Sequence, residues 1–156
     1  MKNIMLILCV LLSGCATTPH TEPGYDYGKG TGNCGVVWER PVFNLADGRV
    51  VEMIGIKVPS QGEPKYLMST RYVQRVTQGH RVKLVYGIER KNVASGRVLA
   101  YVYVGDVFLN ATMVRKGYAY AAPSPPNAKY DALLAELEAA AQKERLVIWE
   151  SLDRLF

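Results

Sequence analysis

The sequence predicts an α+β domain: a five-stranded OB-type β-barrel with three helices packed on it. Two observations carry this. Short runs rich in β-branched and aromatic residues recur between Val36 and Val104, separated by turn signals. Helical stripes appear after Pro64, at Asn110–Gly117 and after Asn127. Several short strands followed by helices suit a small closed barrel with helices on its surface.

The elements follow in order. Val36-Val37-Trp38 and Val42-Phe43-Asn44-Leu45 read as short strands. Asp47-Gly48 is a tight-turn signal, so Leu45 and Val50 begin the arms of a hairpin. Val50 to Val58 is apolar on both faces apart from Glu52 and Lys57, as a strand enclosed in a barrel would be. Pro64 suits a first helical turn, with Tyr66, Val73 and Val76 along one stripe and Gly79 as the stop. Arg81–Tyr86 alternates as a strand, and Val98–Val104 is another. Asn110 is expected to cap a short helix closed by Gly117. Asn127 is expected to cap a long final helix, with Tyr130, Leu133, Leu134, Leu137, Ala141 and Ile148 on one face.

The N-terminus has the features of a targeting segment. Lys2 precedes an apolar run of nine residues, Ile4–Leu12. That run is short for a membrane span, which needs ~20. Leu12-Ser13-Gly14-Cys15 resembles a bacterial lipobox, whose cysteine becomes a lipid attachment point. The expected division is therefore a lipoprotein signal peptide at 1–14, a flexible tether at 15–35 beginning with lipidated Cys15, and one domain at 36–156. The alternative for the leader is an ordinary secretory signal cut nearby. Ala16 after the cysteine, in place of aspartate, favours the outer membrane. The domain would then sit in the periplasm or at the cell surface. Thr17-Thr18-Pro19, Pro23-Gly24 and Gly28-Lys29-Gly30-Thr31-Gly32 give the tether too little apolar content to offset chain entropy.

The formal net charge of +5 is compatible with a nucleic-acid or other anionic partner but does not select one. With Cys9 removed and Cys15 lipidated, Cys34 would be the remaining thiol. It is either inert and partly buried or available for an intermolecular bridge. His20 and His80 have no ligand-like neighbours in sequence, so no metal site and no cofactor is expected from spacing.

The order of elements and four sets of residues resemble the staphylococcal-nuclease, or thermonuclease-like, family. They are Asp47-Gly48-Arg49-Val50 with Met53-Ile54-Gly55-Ile56 and Pro59, Gly96-Arg97 with Leu99-Ala100-Tyr101-Val102, Asn110 with Val114-Arg115, Gly117 and Ala119, and Lys143-Glu144-Arg145-Leu146 with Ile148-Trp149. The resemblance implies calcium-dependent phosphodiester cleavage. That chemistry uses carboxylates to hold the cation, a glutamate to activate water and two arginines to stabilise phosphoryl charge.

Carried over position by position, the resemblance puts Glu52 at the first arginine, Lys57 at a metal aspartate, Ser60 at the glutamate and Glu39-Arg40-Pro41-Val42 at the other metal turn. Arg97 alone is retained. The reversed charges predict that Glu52 pairs with Arg97 or Lys57 and fills the former site. They also predict a catalytically degenerate domain, a pseudoenzyme, that binds within an envelope assembly such as a secretion or conjugation machine. Envelope proteins would be its partners and Cys15 its membrane attachment.

One alternative is a surface or periplasmic calcium-dependent nuclease with a relocated site drawing on Glu39, Asp47 or Glu63. Another is a non-catalytic nucleic-acid-binding OB module, with Tyr101, Tyr103, Tyr118 and Tyr120 as stacking surfaces. The Pro123–Pro126 segment replaces one that supplies pocket tyrosines in the family, which weakens nucleotide binding.

Overall fold

A computed structural model describes residues 29–37 and 42–150. In chain order they form β1 (Lys29–Val37), β2 (Val42–Leu45), β3 (Val50–Met53), β4 (Ile56–Lys57), α1 (Tyr66–Thr77), β5 (Arg81–Lys91), β6 (Val98–Val104), β7 (Val107–Phe108), α2 (Leu109–Arg115), β8 (Tyr120–Ala121) and α3 (Asp131–Lys143). A short 3₁₀ turn, Val147–Trp149, follows. The leader, Cys15, His20, Trp38 and Glu39-Arg40-Pro41 lie outside the described residues.

Five strands run in the order β3-β2-β1-β5-β6, and a parallel seam between β3 and β6 closes the barrel. In that seam Val51 faces Val98, Glu52 faces Leu99 and Met53 faces Ala100. The other barrel pairings are antiparallel, including Phe43 with Val51 and Leu84 with Val102. Phe43, Val51, Val82, Leu84, Ala100 and Val102 are buried and fill the interior, joined by Met113 and Val114 from α2 and Leu134 from α3. The expected fold class is the one observed.

β1 begins at Lys29, seven residues before the expected domain boundary at 36. Its glycines suggested a tether, but here they allow close packing. A Cβ on Gly32 would stand 2.7 Å from Leu45 Cδ1, and one on Gly30 would collide with the Tyr86 hydroxyl. The strand gains its order from backbone pairing with β5, Gly30 to Leu84 and Gly32 to Val82.

The single strand expected over Val50–Val58 is two. Gly55 takes φ 77°, a left-handed turn that sends β4 out of the barrel to pair with β8. α1 starts after Pro64, and Gly79 (φ 75°) stops it as expected.

Asn110 and Asn127 are not helix caps. Phe108 and Tyr130 hold the capping positions of α2 and α3, without side-chain capping bonds. Asn110 is fully buried: its Nδ2 donates to Ile54 O at 2.7 Å and its Oδ1 accepts from Val102 N at 2.9 Å. Asn127 Oδ1 accepts from Glu89 N at 3.0 Å while its Nδ2 donates to Glu89 O at 3.1 Å, so its amide imitates a strand neighbour at the end of β5. Both asparagines satisfy backbone groups that the barrel leaves over.

The final helix is shorter than its stripe suggested. Arg145 and Val147 have positive φ (53° and 39°), and the chain folds back so that Ile148 N donates to Gly117 O at 3.0 Å. Leu133 from the expected face is exposed, whereas Leu134 and Ala141 are buried. Among the described residues no helix is long and apolar enough to cross a membrane.

Candidate functional site

Strand alternation places Val51 and Met53 in the core and turns Glu52 outward. Arg97 lies just before β6, whose parallel pairing with β3 brings it beside Glu52. Arg97 Nη1 stands 3.4 Å from Glu52 Oε2, with both side chains about one-third exposed (32% and 29%). Of the two partners expected for Glu52, Arg97 is the one it meets. At this length and exposure the pair contributes no more than ~1 kcal/mol, but it leaves the arginine facing a carboxylate.

Lys57 is held elsewhere. It lies on β4 opposite Tyr120 and lines a cleft of about 590 Å³ with Glu63, Pro64, Lys65, Tyr120 and Glu150. Lys65 and Glu150 close the cleft with an ion pair of 3.0 Å. Sequence reading could not supply that pair, because its members are far apart along the chain. Ser60 offers no carboxylate; its backbone N–H donates to Glu63 Oε2 at 2.5 Å. Burial, and then the Glu63 and Glu138 carboxylates, hold the Tyr120 hydroxyl above its ordinary pKa.

Of the carboxylates considered for a relocated site, Asp47 and Glu63 are also engaged. Arg49 grips Asp47 through Nε at 2.9 Å and Nη2 at 2.6 Å, which holds the Asp47 carboxyl below its usual range. Among the described residues no group of three or more His, Cys, Asp or Glu side chains is arranged to hold a metal ion. Among the described residues the donor set fits calcium poorly: one acid faces an arginine, a second is clamped by one, and an ammonium group stands where the family resemblance calls for a carboxylate. Glu39 lies outside the described residues.

The four tyrosines do not form one platform. Tyr101 is buried and donates to Asn127 O at 2.8 Å. Tyr103 stacks on Phe108, Tyr118 stacks on Tyr72, and Tyr120 meets Trp149 edge to face. Cys34 is 4% exposed and lies in the core. Burial raises its thiol pKa, and a bridge to another chain would require β1 to move.

Residues 51–151 match the family described as "Staphylococcal nuclease homologue". The chain is 34% identical over 106 residues to a thermonuclease of Staphylococcus intermedius, covering 64% of this chain and 62% of the relative. It is 28% identical over 107 residues to a thermonuclease of Staphylococcus hyicus, covering 65% and 63%. The chain therefore spans a little under two thirds of the length of either relative. With the closed barrel and three helices in place, the match over most of the domain identifies the chain as a member of the staphylococcal nuclease homologue family.

Proposed function

We propose that this is a lipid-anchored envelope protein whose nuclease-family domain binds rather than cleaves. The observation that carries the reading is the Glu52–Arg97 pair. A phosphodiester approaching Arg97 also meets the Glu52 carboxylate. Two like charges about 4 Å apart oppose each other by ~1 kcal/mol in water and up to ~4 kcal/mol at an effective dielectric near 20. The upper figure corresponds to roughly three powers of ten in rate. Lys57 adds a second reversal, since its ammonium repels the cation that the chemistry needs. The Leu12–Cys15 pattern supports membrane attachment, and a nuclease frame without its charges suits a protein-binding role in an envelope assembly.

The comparisons favour a second reading more directly: both relatives are thermonucleases. In that reading the chain is a surface or periplasmic calcium-dependent phosphodiesterase, with a displaced acid such as Glu39 or Glu63 in the site.

One assay separates the two. The full chain, in a mild non-ionic detergent, is incubated with single- and double-stranded DNA and with RNA, in calcium, in magnesium and in chelator. Intact nucleic acid under all conditions supports the binding reading. Cleavage that disappears with chelator selects the nuclease and overturns the first proposal.

A further inference from the structure

A second concavity, of about 560 Å³, lies between α1 and Tyr118. It shares no lining residue with the Lys57 cleft and includes neither Glu52 nor Arg97. Its floor is the Tyr72–Tyr118 stack, with ring centroids 4.3 Å apart and planes within 14°. Arg71 and Arg75, one helical turn apart, form its rim with Gln74 and Gln78. The Arg75 guanidinium lies 5.5 Å and the Lys116 ammonium 5.8 Å from the Tyr72 ring centre.

The groove is lined by cationic, aromatic and neutral side chains. Arg49, Lys65, Arg97 and Arg115 each face a carboxylate. Among the described residues Arg71, Arg75 and Lys116 have no such partner, and no acidic side chain lines the groove. Arg71 and Arg75, four residues apart on one helix, repel each other, and Lys116 stands against the same Tyr72 ring as Arg75.

We infer that this groove binds single-stranded nucleic acid, with Arg71, Arg75 and Lys116 on successive phosphates and the half-buried Tyr118 ring as a surface for a base. A cationic groove beside aromatic rings is the arrangement that holds single strands without regard to sequence. Its concavity suits a strand better than a flat lipid surface. Leu67 and Met68, the exposed apolar residues of α1, lie at its N-terminal end. The inference is independent of whether the domain cleaves its ligand.

The test uses the full chain in non-ionic detergent with excess chelator, so that cleavage cannot affect the readout. A fluorescein-labelled oligothymidylate is titrated by anisotropy across a range of salt. The expected result is binding that weakens with salt. In the triple variant Arg71→Gln, Arg75→Gln, Lys116→Gln, the slope of log K against log salt should fall by ~2, at ~0.7 per phosphate contact. Affinity at 0.1 M salt should drop at least about tenfold. These side chains are exposed, so the variant keeps its core. Tyr118→Leu should weaken binding while leaving the salt slope unchanged. Absence of binding by the natural chain would overturn the inference, as would a triple variant that binds like it. So would capture by anionic phospholipid vesicles, lost in the triple variant, without oligonucleotide binding.

Discussion

Glu52 and Arg97 face each other across the parallel seam that closes the barrel, at 3.4 Å between Oε2 and Nη1. Because both are partly solvated, their pairing governs access to Arg97 more than it governs folding. Glu52→Gln is therefore expected to lower stability by less than about 1 kcal/mol, read as a small change in urea midpoint at constant slope. The same variant should bind inorganic phosphate at Arg97 more tightly than the natural chain, followed by NMR shifts of residues 97–99. Unchanged phosphate affinity would mean that Glu52 does not mask the arginine.

Lys57→Asp would place a third carboxylate in the cleft that Glu63 and Glu150 line. Calcium affinity in the range of ~10⁻⁴–10⁻³ M is expected to appear, measured by calorimetry. The natural chain should give no comparable heat from this cleft. A variant as silent as the natural chain would show that charge at position 57 is not what opposes the cation.

Asn110→Ala leaves the Ile54 carbonyl and the Val102 amide, both in the barrel wall, without their partner. A loss of ~2–4 kcal/mol is expected from two unsatisfied buried groups, read by denaturant unfolding. A loss near the few tenths expected of a surface asparagine would contradict the bridging role.

Gly117 and Gly48 both have positive φ (72° and 86°), but their surroundings differ. A Cβ at Gly117 would run into the Leu146 carbonyl, whereas one at Gly48 meets open space. Gly48→Ala should cost about 1 kcal/mol from the left-handed backbone alone. Gly117→Ala should cost roughly 3 kcal/mol or more, because backbone must also shift. Equal losses in thermal unfolding would reject this distinction.

Alkaline pH should destabilise the protein. Burial raises the Cys34 thiol above its ordinary 9.0, and burial raises the Tyr72, Tyr101 and Tyr103 hydroxyls above their ordinary 10.0. Each group's raised folded-state pKa means that the unfolded chain loses its proton first. Stability is thus full below about pH 9 and declines as pH rises toward and through the raised values. Urea midpoints from pH 7 to 11 check the sign. In the same series Cys34 should react with a thiol reagent at the rate of unfolding, and a fast native-state reaction would contradict its burial.

Period-two and 3.6-residue patterns revealed the barrel strands and helices because those residues choose their faces by hydrophobicity. Gly30 and Gly32 did not announce a strand, since their contribution is the absence of a side chain beside Tyr86 and Leu45. Asn110 and Asn127 look like caps in sequence because the same amide chemistry serves a helix end or an orphaned strand. Only the tertiary fold decides between them. The resemblance implies reversed charge at Glu52 and Lys57. The choice of Arg97 over Lys57 does not follow from it, because that choice depends on the β3–β6 seam and on Gly55 turning β4 away.

The early start of β1 has a consequence for where the domain can travel. With attachment at Cys15, residues 16–28 are all that separate the lipid from the first barrel strand. Thirteen residues fully extended reach less than ~50 Å, and a flexible chain of that length averages ~20 Å. A domain of this size has a radius of gyration near ~14 Å. The leash is therefore about as short as the body it holds. In the lipid-anchored reading, whatever this domain recognises would have to come to the bilayer to be met.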